Sequence, residues 1–278
     1  MSLIPLYPEP GASEKLEGHY LGLDLHRQAG DGEIMIYANF ISSVDGRIAL
    51  RDAKSGEQSV PKAIANRRDW RLYQELAAQA DIVITSARYF RQLAKGHAQD
   101  LLPLGPEAEF DDLRRWRKGQ GLADQPAVAI LSRSLEIPPQ AIEAMAGRRV
   151  FVFTSAGADA ERIEALERAG VRVIEAGSDG VEGLRLQAAL VAEGFRSAYM
   201  IAGPEVHRTL LAAGVLDRLF LTLHHTLLGG SDFHTIVEGA MERPSRLLLV
   251  NASLDTKSPT QMFCHYRLMS DGAEFAGE

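Results

Sequence analysis

The sequence predicts an α/β protein with a mainly parallel central sheet, helices on both faces and an antiparallel C-terminal edge. Three observations carry this. Short apolar runs recur between residues 82 and 201 with amphipathic stretches between most of them, the βαβ rhythm of a parallel sheet. Gly147, Gly170 and Gly194 each follow such a stretch, where a left-handed C-cap residue belongs. Beyond about residue 215 strand-like runs continue, but loops replace the helices between them.

Taken in order, residues 1–30 hold three prolines and four glycines without sustained periodicity and read as an irregular arm. Residues 31–270 read as one domain, with no internal repeat and no linker dividing them. An apolar run at 34–41 has strand length and ends in Ser42-Ser43-Val44-Asp45-Gly46, which has turn chemistry. Residues 51–61 are polar, contain Gly56 and Pro61, and read as a loop. A helix is predicted over 62–79, because Trp70, Tyr73, Leu76, Ala77 and Ala80 fall at spacings of 3 and 4. Runs at 82–85, 127–131, 150–154, 171–174 and 198–201 read as buried strands, with amphipathic stretches at 107–118, 139–146, 158–169 and 182–193. The antiparallel extension is expected from 216–223, 245–250 and 261–268.

Composition narrows the function. The net charge is −7, so a nucleic-acid duplex or a membrane surface would repel the chain as a whole. No apolar run reaches the roughly 18 residues that a spanning helix requires, and residues 1–5 lack a signal-peptide pattern, so a cytoplasmic location is expected. The single cysteine, Cys264, excludes an intramolecular disulfide and lies in a strand-like run that reads as core. His224 and His225 are adjacent, so on a strand they face opposite ways and cannot chelate one metal together; no metal site is expected. Neither a Walker A sequence nor Gly-x-Ser-x-Gly occurs.

What remains are loops at the carboxyl ends of strands, where open α/β sheets bind ligands. Thr154-Ser155-Ala156-Gly157 precedes a helix and offers a place for a phosphate at the helix start. Ala202-Gly203-Pro204-Glu205-Val206 holds the equivalent place after a later buried strand, with Pro204 suited to a first helical turn. Gly229-Gly230 lets the backbone approach a neighbour closely.

Together these segments resemble the RibD C-terminal reductase family. The run Asn39-Phe40-Ile41-Ser42-Ser43-Val44-Asp45-Gly46-Arg47-Ile48-Ala49 is similar to the family's opening strand and its Ser-Leu-Asp-Gly-Lys/Arg-x-Ala loop. Ser55-Gly56-Glu57, Ala202-Gly203-Pro204 and Leu227-Leu228-Gly229-Gly230 follow in the family's order and spacing. The resemblance implies a dihydrofolate-reductase-like fold, a homodimer, and NADPH-dependent reduction of a phosphoribosylamino-pyrimidine to its ribityl form. The family's deaminase signature is absent, so a stand-alone reductase is expected.

The resemblance assigns cofactor contacts to Ile41, Ser132, Gly203, Pro204, Glu205, Val206 and His207, beside Thr154 and Ser155 from the loop reading. Ser155, Arg133 and Arg162 are candidates for a cofactor 2′-phosphate. Ser43, Ser55 and Gly56 are the expected substrate contacts. Asp45 is the nearest carboxyl group for a proton donor, with capping of the turn before Gly46 as its other reading. Six positions depart from the family pattern: Val60, Ala77, Ser86, Tyr89, Ile201 and Ala202. Ala77 stands where the family has an arginine that grips substrate phosphate, leaving Arg51, Lys54, Arg88, Arg91 or Lys95 to supply charge. Reduction of dihydrofolate or another pterin, and a nucleotide-binding protein without turnover, stand as alternatives.

Overall fold

A computed structural model describes residues 2–52, 56–96, 104–257 and 260–269. In chain order the strands are β1 (Leu3–Tyr7), β2 (Met35–Ser43), β3 (Ala49–Arg51), β4 (Gln58–Ser59), β5 (Ile82–Ser86), β6 (Ala127–Leu131) and β7 (Val150–Thr154). They continue with β8 (Arg172–Glu175), β9 (Ser197–Met200), β10 (Arg218–His224), β11 (Phe233–His234), β12 (Leu247–Asp255) and β13 (Gln261–Leu268). The helices are α1 (Arg67–Gln79), α2 (Ala87–Ala94), α3 (Asp111–Gly119), α4 (Pro139–Glu143), α5 (Ala160–Arg168), α6 (Gly183–Ala192) and α7 (Pro204–Ala212).

Among the described residues, ten strands form one sheet in the order β1-β12-β13-β10-β2-β9-β5-β6-β7-β8. All pairings from β10 to β8 are parallel, and those among β10, β13, β12 and β1 are antiparallel. The expected architecture therefore holds, with one refinement: β10 is parallel to β2 on one side and antiparallel to β13 on the other. A second, small sheet of β11, β3 and β4 occupies the predicted 51–61 loop and its neighbours. Helix α2 went unseen in the sequence because eight residues give too little periodicity to read.

Two apolar layers flank the large sheet. One joins Tyr37, Val83, Tyr199 and Phe220 to Leu72, Leu76, Phe90, Leu113 and Leu166 of α1, α2, α3 and α5. The other joins Ala38, Phe40, Met200 and Leu219 to Leu186, Leu190, Val206 and Leu210 of α6 and α7. Gly147, Gly170 and Gly194 adopt φ of 84°, 82° and 83°, the left-handed geometry expected of them. Cys264 is a buried free thiol, and His224 is buried while His225 is exposed.

The arm is more ordered than its prolines suggest. Residues 3–7 form β1, the outermost strand, paired with β12. An edge strand tolerates Pro5 because one row of its backbone groups has no neighbour to bond. Leu3, Leu16, Tyr20 and Leu25 then enter the first apolar layer.

Helix α1 is buried on nearly every side, so its polar residues must find partners within the protein. Glu75, fully buried, accepts the amides of Gly18 at 2.6 Å, Tyr20 at 2.9 Å and Leu21 at 3.3 Å, and Arg71 Nε at 3.0 Å. Gln79 accepts the Leu25 amide at 2.8 Å and donates to the Tyr20 carbonyl at 2.9 Å. The buried Arg117 donates to the carbonyls of Ala78 at 2.9 Å and Ala80 at 2.7 Å, closing the helix C terminus. Asn66 caps the start by accepting the Arg68 and Asp69 amides. Replacing Glu75 by alanine strands three amides and leaves Arg71 with Asp112 alone as its carboxylate partner, and should cost about 3 kcal/mol and lower Tm by on the order of 10 °C. A thermal melt within 2 °C of the parent would show that the arm does not depend on this carboxylate.

Candidate active site

The strand order places a topological switch point between β9 and β5. From β9 the chain leaves through α7 toward β10, and from β5 it leaves through α2 in the opposite direction toward β6. The loops there part and open a crevice at the carboxyl ends. A cleft of about 500 Å³ occupies this place, lined by Ser86–Arg88, Arg91, residues 131–134, residues 203–206, His234 and Glu238. It shares walls with a neighbouring cleft of about 790 Å³ that reaches Asp179, Arg208 and Gly239.

The electrostatics of this cleft favour an anion. Helices α2 and α7 begin on it, and neither N-cap, Ser86 or Gly203, makes a side-chain capping bond. Their first amides point where a phosphate group would be held. Arg88, Arg91 and Arg133 add positive charge against the negative balance of the whole chain. Gly203 has ordinary extended backbone, and a Cβ there would meet nothing within 4 Å, so the space in front of it is open.

Of the residues expected to contact a cofactor, the structure brings Ser132, Gly203, Pro204, Glu205 and Val206 together at the cleft. The other four expected cofactor contacts do not line it. Thr154 and Ser155 lie at the end of β7, and α5 beyond them is capped by Asp159, whose carboxylate accepts the amides of Glu161 and Arg162. That carboxylate fills the place expected for a phosphate. Arg162 is likewise committed, donating to the Ser134 carbonyl at 2.6 Å. His207 is buried, packs on Phe40 and donates from Nδ1 to the Ile236 carbonyl at 2.6 Å. Ile41 is buried on the α1 side of the sheet.

The first-strand motif forms a latch rather than a ligand surface. Ser43 Oγ donates to Asp45 at 2.5 Å, and the amides of Leu228 and Gly229 donate to the same carboxylate at 3.2 and 2.8 Å. Arg47 lies 3.1 Å from that carboxylate and donates to the Gly229 carbonyl at 2.9 Å. The Ser43 hydroxyl and the Gly229 and Leu228 amides, aided by Arg47, hold the Asp45 carboxyl down at about 2. The close approach anticipated for Gly229-Gly230 is this contact. Ser43 is fully buried inside the latch, Gly56 is an exposed turn residue away from the cleft, and Ser55 lies outside the described residues.

Arg88 and Arg91 reach the cleft, whereas Arg51 pairs with Asp232 and Lys95 lies 3.7 Å from Glu57; Lys54 is outside the described residues. Ala77 is buried in the last turn of α1, close in sequence to the start of β5 and so at the opposite end of the sheet. Its departure from the family arginine removes nothing from this site.

The sequence reading missed a second carboxyl group. Asp69, in the first turn of α1, has Oδ1 enclosed and without a hydrogen-bond partner among the described residues. Burial pushes its carboxyl up to about 6, and the nearby Thr222 hydroxyl of β10 opposes that shift. Tyr20 and Tyr199 lie close enough for the Asp69 charge to raise theirs. The group thus sits over β2, between β10 and β9. There β2 bonds to β9 only as far as Ala38↔Met200, while residues 39–43 pair with β10 alone. The sheet therefore divides between the Asp69 side and the α7 side at its carboxyl end. Asp69 lies in an otherwise ordinary helical pattern, so no sequence signal marked it.

An open, mainly parallel sheet with a cleft at its switch point and an antiparallel C-terminal edge defines a doubly wound α/β protein. The chain belongs to the RibD C-terminal domain family, whose model matches residues 35–257. It is 28% identical over 116 residues to riboflavin biosynthesis protein RibD of Bacillus amyloliquefaciens, a match covering 41% of this chain and about a third, 31%, of that protein. Among solved structures it is similar to a pyrimidine reductase-like protein from Corynebacterium diphtheriae, with TM-score 0.66, 21% identity, and coverage of 86% of this chain and 93% of that one. Acinetobacter baumannii RibD gives TM-score 0.62 at 20% identity, covering 86% of this chain and 58% of that chain. The riboflavin biosynthesis reductase of Saccharomyces cerevisiae gives 0.56 at 14% identity, covering 91% and 99%.

Because a Cβ at position 203 would meet no protein atom within 4 Å, Gly203→Ala should keep the parent Tm to within about 2 °C while weakening nucleotide binding about tenfold. Isothermal titration of the variant checks this, and undiminished affinity would place the ligand elsewhere.

Proposed function

We propose that this chain is an NADPH-dependent reductase acting on a phosphoribosylamino-pyrimidine of riboflavin biosynthesis, with a pterin as the alternative substrate. The observation that carries the reading is the switch-point cleft where two helix starts without side-chain caps meet Arg88, Arg91 and Arg133. These residues suit the phosphates of a dinucleotide, and the cofactor bound there would supply the hydride. The names of the similar proteins, pyrimidine reductase-like protein and riboflavin biosynthesis reductase, support the same class of substrate.

The chain's own part is to orient and to move a proton. The loop before α7 presents amides without a side chain in the way at Gly203. The Asp45 latch holds the loop after β2 against the loop at Gly229, fixing the rim of the divided sheet. With its carboxyl held at about 2, Asp45 is ionised at neutral pH and positions the loops; it has no proton to give. Asp69, raised to about 6, retains a protonated fraction near neutrality and is our proton donor. As a general acid it is active in its protonated form, so kcat should fall as pH rises through about 6. Asp69→Asn should remove that limb and lower kcat by roughly 100-fold.

NADPH oxidation by purified protein, with the aminouracil ribotide and dihydrofolate compared side by side, tests the assignment. Turnover of the ribotide is expected; turnover of dihydrofolate alone selects the pterin. NADPH binding with no oxidation of either would favour a nucleotide-binding protein without turnover.

The same reading places the protein in the cytoplasm, as a homodimer. The dimer is supported by the sheet face made by Leu247, Leu249, Leu254, Met262, Tyr266 and Leu268. These side chains share one side by register and stay half-buried or exposed, while Gln261, Phe263 and His265 on the opposite side of β13 are buried. Light scattering should report a dimer for the parent and a monomer for the double variant Leu249→Asp, Met262→Asp. A monomeric parent would remove the proposal.

A further inference from the structure

Residues 233–238 form a strap along the cleft, fastened at three points. The Arg47 guanidinium lies over the Phe233 ring at 4.3 Å. The Ile48 amide donates to the His234 carbonyl at 2.9 Å, and His207 Nδ1 donates to the Ile236 carbonyl at 2.6 Å. Within the strap His234 Nδ1 is hydrogen-bonded to the Glu238 carboxylate, which also accepts the Thr235 amide at 3.3 Å. Both His234 and Glu238 line the cleft with the start of α7.

A carboxylate on Nδ1 fixes both the ring orientation and the tautomer. Nε2 is then the ring atom left to meet a ligand. The pair lies on the α7 side of the sheet, where Ile236 joins the second apolar layer, and so is not placed to serve the acid role given to Asp69. The other charged groups lining this cleft are Arg88, Arg91, Arg133 and Glu205.

We propose that His234, oriented by Glu238, is a phosphate ligand of this cleft and donates Nε2–H to the pyrophosphate of a dinucleotide held at the start of α7. The proposal rests on reading the cleft as a dinucleotide site. His207 acts at one remove, as a positioning residue that fixes the strap through Ile236.

The test compares two ligands on the full chain. NADPH carries the pyrophosphate; adenosine 2′-monophosphate shares the adenosine 2′-phosphate and has no phosphate at the 5′ position. His234→Gln should weaken NADPH about tenfold, and Glu238→Gln about threefold, with adenosine 2′-monophosphate held within about twofold in both. Unchanged NADPH affinity in a folded His234→Gln variant overturns the proposal. Equal weakening of both ligands also overturns it, since that is the mark of a loosened strap. If His234→Gln does not fold, the same comparison on Glu238→Gln decides. Failure of the parent protein to bind NADPH overturns the reading of the cleft instead, and is told apart because no variant is needed to see it.

Discussion

The enclosure of α1 is the constraint on which most of the structure depends. From Arg71 to Gln79 every residue of this helix is buried, including a glutamate and two glutamines. A buried polar group without a partner costs as much as a lost hydrogen bond or more, so the rest of the chain is arranged to supply partners. The N-terminal arm folds back to give its amides to Glu75 and Gln79, and the Gly105 amide donates to Gln74 at 3.0 Å. Arg117, a charge with little exposed surface, takes the carbonyls at the far end. The same enclosure carries Asp69 into a dry setting at the near end, where its carboxyl rises to about 6. One packing decision therefore orders the arm, seals the helix and tunes a carboxyl group.

The sheet supplies the second half of the arrangement. Because β9 stops at Met200 while β2 runs on to Ser43, the two strands bond near their amino ends and separate near their carboxyl ends. The separation gives each face its own chemistry. On the α7 side lies the bare start of that helix; on the α1 side lie Asp69, Thr222 and the Tyr20 and Tyr199 hydroxyls, with the α2 start and its arginines reaching the cleft from that same side. Local positive charge matters more than the net −7, because a cleft with low-dielectric walls focuses the field of the groups lining it.

Sequence patterns disclosed the parallel core because each βα unit repeats a short apolar run, an amphipathic stretch and a terminal glycine. They disclosed the α7 start because proline after glycine is a local signature. The elements they hid are those fixed by distant partners. Strand β1 exists because β12 offers it an edge, and Pro5 argued against it until the edge was known. Asp159 sits five residues past Thr154, yet only the helix start in three dimensions shows its carboxylate taking the place of a phosphate. Ala77 looked like a lost substrate contact in an aligned sequence and proves to lie at the wrong end of the sheet.

Asp45 and Asp69 carry the same side chain and are set in opposite directions by their surroundings. Asp45 is open to solvent at the rim, and it receives a hydroxyl, two amides and a guanidinium, all of which stabilise the anion. Asp69 has one enclosed oxygen without a partner and only a nearby threonine hydroxyl to offset its desolvation. A carboxylate saturated with donors is suited to holding backbone in place, since leaving the anionic state would break several bonds at once. A carboxyl short of donors is suited to exchanging a proton, since neither state is strongly preferred near neutrality. Motif matching draws attention to the first because it lies in an ordered string of residues. The second can be found only by asking what surrounds it: the motif aspartate is the latch, and the unmarked one is the group whose surroundings suit the acid role proposed for it.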